Sequence, residues 1–236
     1  MSAQHPPVIE MAGARKTYHT GEVSFEALRG IDLSVGDGEY VAIAGPSGSG
    51  KSTLMNILGC LDVLTEGSYR LGGKDVEQLS EVALARVRNQ QIGFVFQQFH
   101  LLPSLSAVRN VELPLVYGRV DKAQRRERAE LALERVGLGD RLHNRPGELS
   151  GGQQQRVAVA RALAGDPTMI LADEPTGNLD SVSTEEVLGL FDQLHEAGRT
   201  IVLITHEHDV ARHARRMITV RDGLIVSDAA TEEVAA

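Results

Sequence analysis

The stretch YVAIAGPSGSGKSTLMNILG, residues 40–59, decides the fold of this chain. An apolar run of strand length comes first, a loop of glycine and serine follows, and a run with helical character ends it. The loop fits the pattern G-x-x-x-x-G-K-[ST]. Its small residues let successive backbone N–H groups turn inward around a phosphate, and the helix N-terminus adds partial positive charge. The sequence therefore predicts a phosphate-binding loop between a strand and a helix of an α/β domain.

The side chains of this loop predict a nucleotide with its metal ion. Lys51 can reach the β- and γ-phosphates, and the Ser52 hydroxyl is a magnesium ligand of the expected kind. The alternative is a chance glycine–serine loop, but the flanking strand and helix lie where this motif requires them. The residues predicted to contact the nucleotide here are Gly45, Pro46, Ser47, Gly48, Ser49, Gly50, Lys51, Ser52 and Thr53.

Two adjacent acids, Asp173 and Glu174, end the apolar run TMILA. A strand that ends in a carboxylate beside a phosphate loop commonly holds magnesium, directly or through water. Successive strand residues point in opposite directions, so we expect different roles for the two acids. We assign Asp173 to magnesium and Glu174 to the attacking water. The alternative is a solvated turn, since Asp-Glu-Pro opens a loop.

A second glycine-containing turn, Ser150 to Gln153, precedes the helical segment QQQRVAVARALAG. It can be a simple helix cap, or an anion site by the same logic of free N–H groups and helix dipole. The chain has one lysine-bearing phosphate loop, so this turn has no evident nucleotide of its own. Two copies facing head to tail would provide one, with each turn closing on the other copy's γ-phosphate.

Three further polar residues stand next to strand-like runs. His206 follows TIVLIT at the edge where α/β folds bind ligands, and it could donate a hydrogen bond to a γ-phosphate. Gln97 ends GFVFQ and could ligate magnesium or contact the attacking water. Tyr18 precedes the turn HTGE and could stack on adenine. Each residue alone is more often structural, and the spacing of His206, His208 and His213 matches no zinc pattern.

The composition of the chain argues against several classes of protein. The net charge of −8 argues against a protein that mainly binds nucleic acid. No window reaches the roughly 18 apolar residues of a membrane helix, so direct membrane insertion is not expected. The N-terminus lacks the pattern of a secretory signal. The single cysteine, Cys60, lies in an apolar run and is expected to be a buried thiol in a reducing cytoplasm.

The order of segments predicts a single domain with an inserted lobe. The runs VAIAG, TMILA and TIVLIT are apolar on both faces, as in central strands of a parallel sheet. We expect the core and a β subdomain to span 8–97 and 148–228, a mainly helical subdomain about 98–147, and a tail 229–236. The stretch FHLLPSLSAVRNVELPLVY is unusually apolar for a loop. It can cover the lobe's own core or form a docking surface for a partner.

With these motifs in this order, the chain resembles the ATP-binding subunit of ABC transporters from about Val8 to Ser227. LSGGQ is the specific part, because phosphate loops occur in many ATPases. The phrases GPSGSGKSTLMNILGCLD, LSGGQQQRVAVARALA and ILADEPTGNLD are similar to the macrolide-export and lipoprotein-releasing branch. The resemblance implies a P-loop NTPase fold, with a RecA-like parallel core, an N-terminal antiparallel β subdomain and an inserted helical subdomain.

The resemblance also implies roles for individual residues, and no position departs from the family pattern. Tyr18 would stack on adenine, Gln97 would link magnesium to the permease contact, and His206 would be the switch histidine. Asp173 would be the Walker B acid and Glu174 the catalytic glutamate. The residues that would act across a dimer interface are Ser150, Gly151, Gly152, Gln153 and Asp180.

The function implied is ATP hydrolysis with magnesium by an ATP-sandwiched homodimer that drives a separate integral membrane permease. The subunit would then be cytoplasmic and peripheral on the inner face of the membrane. Three alternatives stay open: a soluble ABC-type ATPase acting on DNA or ribosomes, a kinase built on the same loop, and a regulatory ABC pair of the cell-division type. The cargo lies beyond this sequence, since specificity in the family resides largely in the permease.

Overall fold

The computed structural model describes residues 6–21 and 23–231, which form two sheets and the helices around them. The first sheet is antiparallel, with strand order β2-β1-β4-β5. It consists of β1 (Ile9–Thr20), β2 (Val23–Val35), β4 (Glu66–Leu71) and β5 (Lys74–Asp75). The second sheet has the order β10-β9-β3-β8-β7-β6. It consists of β3 (Tyr40–Ala44), β6 (Ile92–Phe96), β7 (Met169–Asp173), β8 (Thr200–Thr205), β9 (Arg216–Arg221) and β10 (Leu224–Ala230).

The central strands of the second sheet, β3, β7 and β8, are buried on both faces, as their apolar sequences predict. β3 pairs in parallel with β8 and β9, and β7 pairs in parallel with β6 and β8. Along β3, Val41 and Ile43 point into one core, whereas Ala42 and Ala44 point into the other. The antiparallel sheet covers the first of these faces. Parallel strands then deliver their carboxyl ends, and the loops that follow them, to one edge.

Helices fill the remaining layers. The core that contains Val41 and Ile43 also takes up the helix after the phosphate loop, and the opposite core is covered by helices of the inserted lobe and its neighbours. The helices are α1 (Lys51–Leu58), α2 (Glu81–Gln91), α3 (Ala107–Tyr117), α4 (Lys122–Arg135), α5 (Gly151–Leu163), α6 (Ser181–Glu196) and α7 (His208–Ala211), and a 3₁₀ turn spans Pro146–Glu148.

The segment IDLSVGDGEYVAIAG, residues 31–45, is divided between the two sheets. The first half belongs to β2 in the antiparallel sheet and the second half is β3 in the parallel sheet. The chain turns between them, where Gly38 has φ 73°. A glycine fits that left-handed conformation without steric cost. β10 runs to Ala230 and so takes up the first two residues of the predicted tail.

The inserted lobe is helical, and most of its apolar stretch packs inside. Val108, Val111 and Leu115 of α3 are fully or almost fully buried against the core beneath the lobe. Tyr117 at the end of α3 is 77% exposed. The arginine-rich α4 carries the ion pair Arg126–Glu130 at helical spacing. Among the described residues, no helix is long and apolar enough to cross a membrane.

A hairpin at Asp222-Gly223 joins the last two strands. Asp222 has φ 49° and Gly223 has φ 78°. Two successive positive φ angles suit a tight two-residue β-turn. The Gly223 N–H donates to the Ser49 carbonyl oxygen at 2.9 Å. The hairpin is therefore tied to the phosphate loop.

The single cysteine lies in the core, as predicted. Cys60 is buried, and burial raises the pKa of its thiol to about 11. The thiol therefore stays protonated and unreactive at neutral pH.

Candidate nucleotide-binding site

The phosphate loop lies between β3 and α1, and close approach of other backbone segments sets its shape. Gly45 has φ 154° and Gly50 has φ 104°. A Cβ atom on Gly45 would lie 2.1 Å from the Val220 carbonyl oxygen, and one on Gly50 would lie 2.7 Å from that of Ala27. Both positions thus exclude any side chain. The loop is shaped from outside by β9 and β2, and its N–H groups are not crowded by side chains of its own.

Replacing Gly45 by alanine is expected to destabilise the fold by about 2–4 kcal/mol, because β9 must move away from the added methyl group. Gly48→Ala is the matched control. Gly48 also has a positive φ, 77°, but a Cβ there meets nothing within 4 Å. Only the backbone strain, about 1–2 kcal/mol, then applies. Urea denaturation of both variants measures the difference. Equal losses would contradict the steric argument.

Lys51 is buried, and its ammonium group is hydrogen-bonded to backbone carbonyl groups of its own loop. Its Nζ donates to the carbonyl oxygens of Gly45 at 2.7 Å and Pro46 at 2.9 Å. The side chain is only 9% exposed. A cation held over the loop in this way can exchange carbonyl oxygens for phosphate oxygens without a large movement. Next to it, the exposed Ser52 hydroxyl makes no hydrogen bond to any other residue that the structure describes.

The two acids at the end of β7 lie in different surroundings. Burial raises the pKa of Asp173, the nearby Glu174 carboxylate adds to the rise, and Lys51 opposes it. Asp173 is therefore within electrostatic reach of the phosphate-loop lysine. Glu174 has φ 45°, and its N–H donates to the Ile204 carbonyl oxygen at 2.8 Å. The left-handed turn directs its carboxylate toward the end of β8.

Glu174 and His206 are brought into direct contact. Glu174 Oε1 lies 2.6 Å from His206 Nδ1 and accepts the His206 backbone N–H at 3.0 Å. Glu174 Oε2 accepts the Thr205 hydroxyl at 3.0 Å. The hydrogen bond to Glu174 raises the pKa of His206. Thr205 was not predicted from the sequence, and its position as the last residue of β8 was the only available signal.

Gln97 contacts the loop that follows the two acids. Its Nε2 donates to Asn178 Oδ1 at 3.4 Å, and Asn178 Nδ2 donates back to the Gln97 carbonyl oxygen at 3.1 Å. A Cβ on Gly177 would lie 2.6 Å from Gln97 Nε2. The structure thus brings Gln97 to the same edge as Asp173 and Glu174. Asn178 was missed as a site residue, although it lies in the quoted phrase GNLD.

The turn at Ser150 is a reciprocal helix cap. The Ser150 hydroxyl accepts the Gln153 N–H at 3.2 Å, and Gln153 Oε1 accepts the Ser150 N–H at 3.0 Å. Such a capping box orders the first turn of α5. A Cβ on Gly152 would lie 2.7 Å from Ser183 Oγ, and Asp180 caps α6 by accepting from Ser183 N and Oγ, both at 2.9 Å. Those hydrogen bonds lower the pKa of Asp180.

The Ser150 turn is separated from the phosphate loop of its own chain. The nearest neighbours of Gly151 and Gly152 are Leu179, Phe99 and Ser183. No hydrogen bond joins the turn to residues 45–53 within the described part of the chain. The turn therefore caps α5, and Ser150 itself is exposed. Binding of an anion by this turn stays a prediction from the sequence.

Two residues of α5 that were not predicted connect this turn to the other motifs. Gln155 is fully buried, and its Nε2 donates to the carbonyl oxygens of Pro175 at 2.5 Å and Phe96 at 3.3 Å. Arg161 donates to the carbonyl oxygens of His100 at 2.5 Å and Phe99 at 2.8 Å. Phe99 and His100 both have positive φ. α5 therefore fixes the backbone beside Glu174 and beside Gln97.

Tyr18 lies on β1 near the end of the phosphate loop. Its hydroxyl donates to Asp62 Oδ2 at 2.9 Å, and 36% of the residue is exposed. Burial raises the pKa of Tyr18, while a hydrogen bond from the Thr53 side chain lowers it. The contact with Thr53 brings Tyr18 beside the last residue of the predicted loop. Tyr18 therefore lies next to the end of the phosphate loop.

The donor set at this edge fits magnesium and a triphosphate. It combines a free hydroxyl at Ser52, a carboxylate at Asp173 and an amide at Gln97, which are the oxygen ligands that Mg²⁺ prefers. The histidines of the described residues do not form a metal site of their own. In the part of the chain that the structure describes, no group of three or more His, Cys, Asp or Glu side chains could hold a metal ion by itself.

Comparisons with known proteins agree with this arrangement. The family model described as ABC transporter matches residues 28–177. An uncharacterised ABC transporter ATP-binding protein of Bacillus subtilis (strain 168), YknY, is 55% identical over 93% of this chain and 95% of the relative. The macrolide export ATP-binding/permease protein MacB of Hyphomonas neptunium is 52% identical, over 98% of this chain but only 36% of the relative. The dimeric post-hydrolysis structure of the ATP-binding cassette MJ0796, bound to ADP and Pi, is 44% identical with a TM-score of 0.85, covering 94% of this chain and 98% of that one.

Proposed function

The chain belongs to the ABC transporter family as an ATP-binding protein, and from that premise we propose that it hydrolyses ATP to drive a separate membrane permease. The permease would be of the macrolide-export or lipoprotein-releasing type. The observation that carries the proposal is the contact of Glu174 with His206 and Thr205, beside Asp173 and the lysine of the phosphate loop. This edge holds a charge-neutralising cation, a metal-binding acid and a candidate base within one cleft.

The proposed chemistry follows from these groups. Lys51 and the N–H groups of the loop bind the β- and γ-phosphates and offset the charge that spreads over the γ-phosphoryl group. Ser52, Asp173 and Gln97 would hold Mg²⁺, which supplies further charge neutralisation when bound. Glu174 orients the attacking water and accepts its proton. His206 donates a hydrogen bond toward the γ-phosphate and holds Glu174 in place.

We further propose that the functional unit is a homodimer with two ATP molecules between the subunits. The support is that Ser150 is exposed and that, within the described residues, no hydrogen bond joins its turn to the phosphate loop of the same chain. A similar cassette has been solved as a dimer bound to ADP and Pi. In such a dimer, Ser150 to Gln153 would contact the partner's γ-phosphate, and Asp180 would lie at the interface. Hydrolysis and phosphate loss then remove the anion that joins the two subunits.

The permease partner is supported by one observation. MacB relatives contain a region similar to this chain within a longer ATP-binding/permease protein. The lobe with α3 and α4 would transmit the motion, and the subunit would lie at the inner face of the membrane through its partner. A regulatory complex of the cell-division type is the second candidate, because its ATPase would share the same cleft.

Phosphate release from Mg-ATP without any added acceptor tests the proposed activity. The wild-type protein is expected to release phosphate, whereas Lys51→Met should lower the rate by about 10²-fold or more, because the γ-phosphoryl charge loses its main cation. Lys122→Met, on exposed α4, is the control and should keep wild-type activity. Phosphate transfer that requires an added hydroxyl acceptor would contradict the proposal and favour a kinase.

A further inference from the structure

A network of charged residues surrounds Tyr18 outside the phosphate loop. Lys16 lies two positions earlier on β1, and Asp62 lies in the loop after α1. Lys16 Nζ donates to Asp62 Oδ1 at 2.6 Å and to the Val63 carbonyl oxygen at 2.8 Å. The Lys16 side chain is only 11% exposed. This pair is therefore largely withdrawn from solvent, unlike most surface ion pairs.

The Asp62 carboxylate is held by three donors. Its Oδ1 accepts from Lys16 and from the Val63 backbone N–H at 2.8 Å, and its Oδ2 accepts the Tyr18 hydroxyl at 2.9 Å. Burial alone would raise the pKa of Asp62, but these hydrogen bonds lower it below its usual value. A carboxylate fixed on both oxygens has one orientation. It therefore fixes the hydroxyl end of the Tyr18 ring as well.

Lys16 also acts on the ring itself. Its Nζ lies 5.0 Å from the centroid of the Tyr18 ring, within the range of a cation–π contact. One ion thus secures Asp62 and covers part of the Tyr18 aromatic face. The ring has two faces, and a flat base can stack only on one that no other group occupies. The orientation of Tyr18 is set by these contacts before any nucleotide arrives.

We propose that Asp62 and Lys16 are positioning residues for the nucleotide base: they hold Tyr18 in one orientation and leave one face of its ring for a purine. The inference rests on the proposed function, in which Tyr18 stacks on adenine. A preorganised ring loses less side-chain entropy on stacking. Asp62 and Lys16 therefore strengthen the binding of the base and leave the binding of the phosphates unchanged.

The test compares two ligands, Mg-ATP and inorganic tripolyphosphate with Mg²⁺, by calorimetry. Asp62→Ala is expected to weaken ATP binding about 3- to 10-fold, with tripolyphosphate unchanged within about twofold. Tyr18→Phe removes only the hydroxyl and should produce the same selective loss. The double variant should be no weaker than Asp62→Ala alone, because Asp62→Ala already removes the hydrogen bond that Tyr18→Phe removes. Lys16→Met should also lower ATP affinity selectively.

Glu26→Ala is the matched control, since Glu26 forms an exposed ion pair with Arg15 and its cross-strand partner on β1 is Thr17, not Tyr18. It should bind both ligands normally. Asp62 variants that melt like the wild type but lose both ligands equally, or neither, would overturn the inference. Additive losses in the double variant would do the same. A wild-type protein that binds neither ligand would instead refute the proposed nucleotide site. If Asp62→Ala does not fold, Tyr18→Phe alone decides.

Discussion

Replacing Glu174 by glutamine should lower ATP turnover by about 10²- to 10⁴-fold while ATP binding persists. The substitution keeps the size of the side chain, and its amide oxygen can still accept from the His206 N–H. It removes the charge that accepts a proton from the attacking water. Because hydrolysis opens the proposed dimer, the variant should accumulate as an ATP-bound dimer.

Phosphate release and gel filtration with saturating Mg-ATP measure the two effects. Glu207→Gln is the matched control, because Glu207 is the exposed acid next to His206, and its charge raises the pKa of His206 as the charge of Glu174 does. We expect it to turn over ATP at about the wild-type rate and to elute as the wild type does. A Glu174→Gln protein that stays monomeric under saturating ATP would count strongly against the composite site.

Replacing Gly152 by alanine should lower ATPase activity by at least about tenfold, with ATP binding by the monomer retained. The new Cβ would lie 2.7 Å from Ser183 Oγ and 2.8 Å from Ser183 Cβ. Either α5 or α6 must shift, so the Ser150 turn and the Asp180 cap move apart. In the proposed dimer, these two segments face the partner's nucleotide, whereas the phosphate loop of the same chain is untouched.

Gly189→Ala is the control for this change. Gly189 lies within α6, and a Cβ there meets nothing within 4 Å. Alanine in a helix interior should stabilise the protein by about 0.5–1 kcal/mol and leave turnover intact. Phosphate release measures the turnover rates. Calorimetry at low protein concentration measures the binding of ATP to the monomer. Normal turnover by Gly152→Ala would leave the Ser150 turn with no role beyond capping α5.

The parallel core was predictable because its strands carry their own signal. The runs that became β3, β7 and β8 are apolar at almost every position, which is a pattern that only strands covered on both faces require. β2 lacks such a signal over its first residues, which are exposed, and irregular pairing with β1 shifts the register. α3 contains Pro114, a poor indicator of a helix, and was covered only by the prediction of a helical lobe.

The individual groups of the site were predictable from motifs, but their contacts were not. Glu174 and His206 are 32 residues apart, and Gln97 and Asn178 are 81 apart, so no local pattern reports that they touch. In the sequence, Gln155 and Arg161 look like ordinary residues of an amphipathic helix. Only the structure shows that they donate hydrogen bonds to the neighbouring loops. Asp62 lies in an apolar run, where its role depends on a strand more than forty residues earlier. Motifs therefore predict which groups take part, and the fold decides how they meet.

α5 gives the molecule a mechanical property of its own. The helix has 13 residues. At the usual rise per residue it is a rod about 20 Å long. Ser150 caps its N-terminal end, and side chains along the helix hold backbone carbonyl groups next to Glu174 and next to Gln97. In the proposed dimer, a displacement of this end by the partner subunit would therefore be transmitted to the backbone beside Glu174 and Gln97. Two such rods in a symmetric pair would make each catalytic centre sensitive to the occupancy of the other, without any hinge between them.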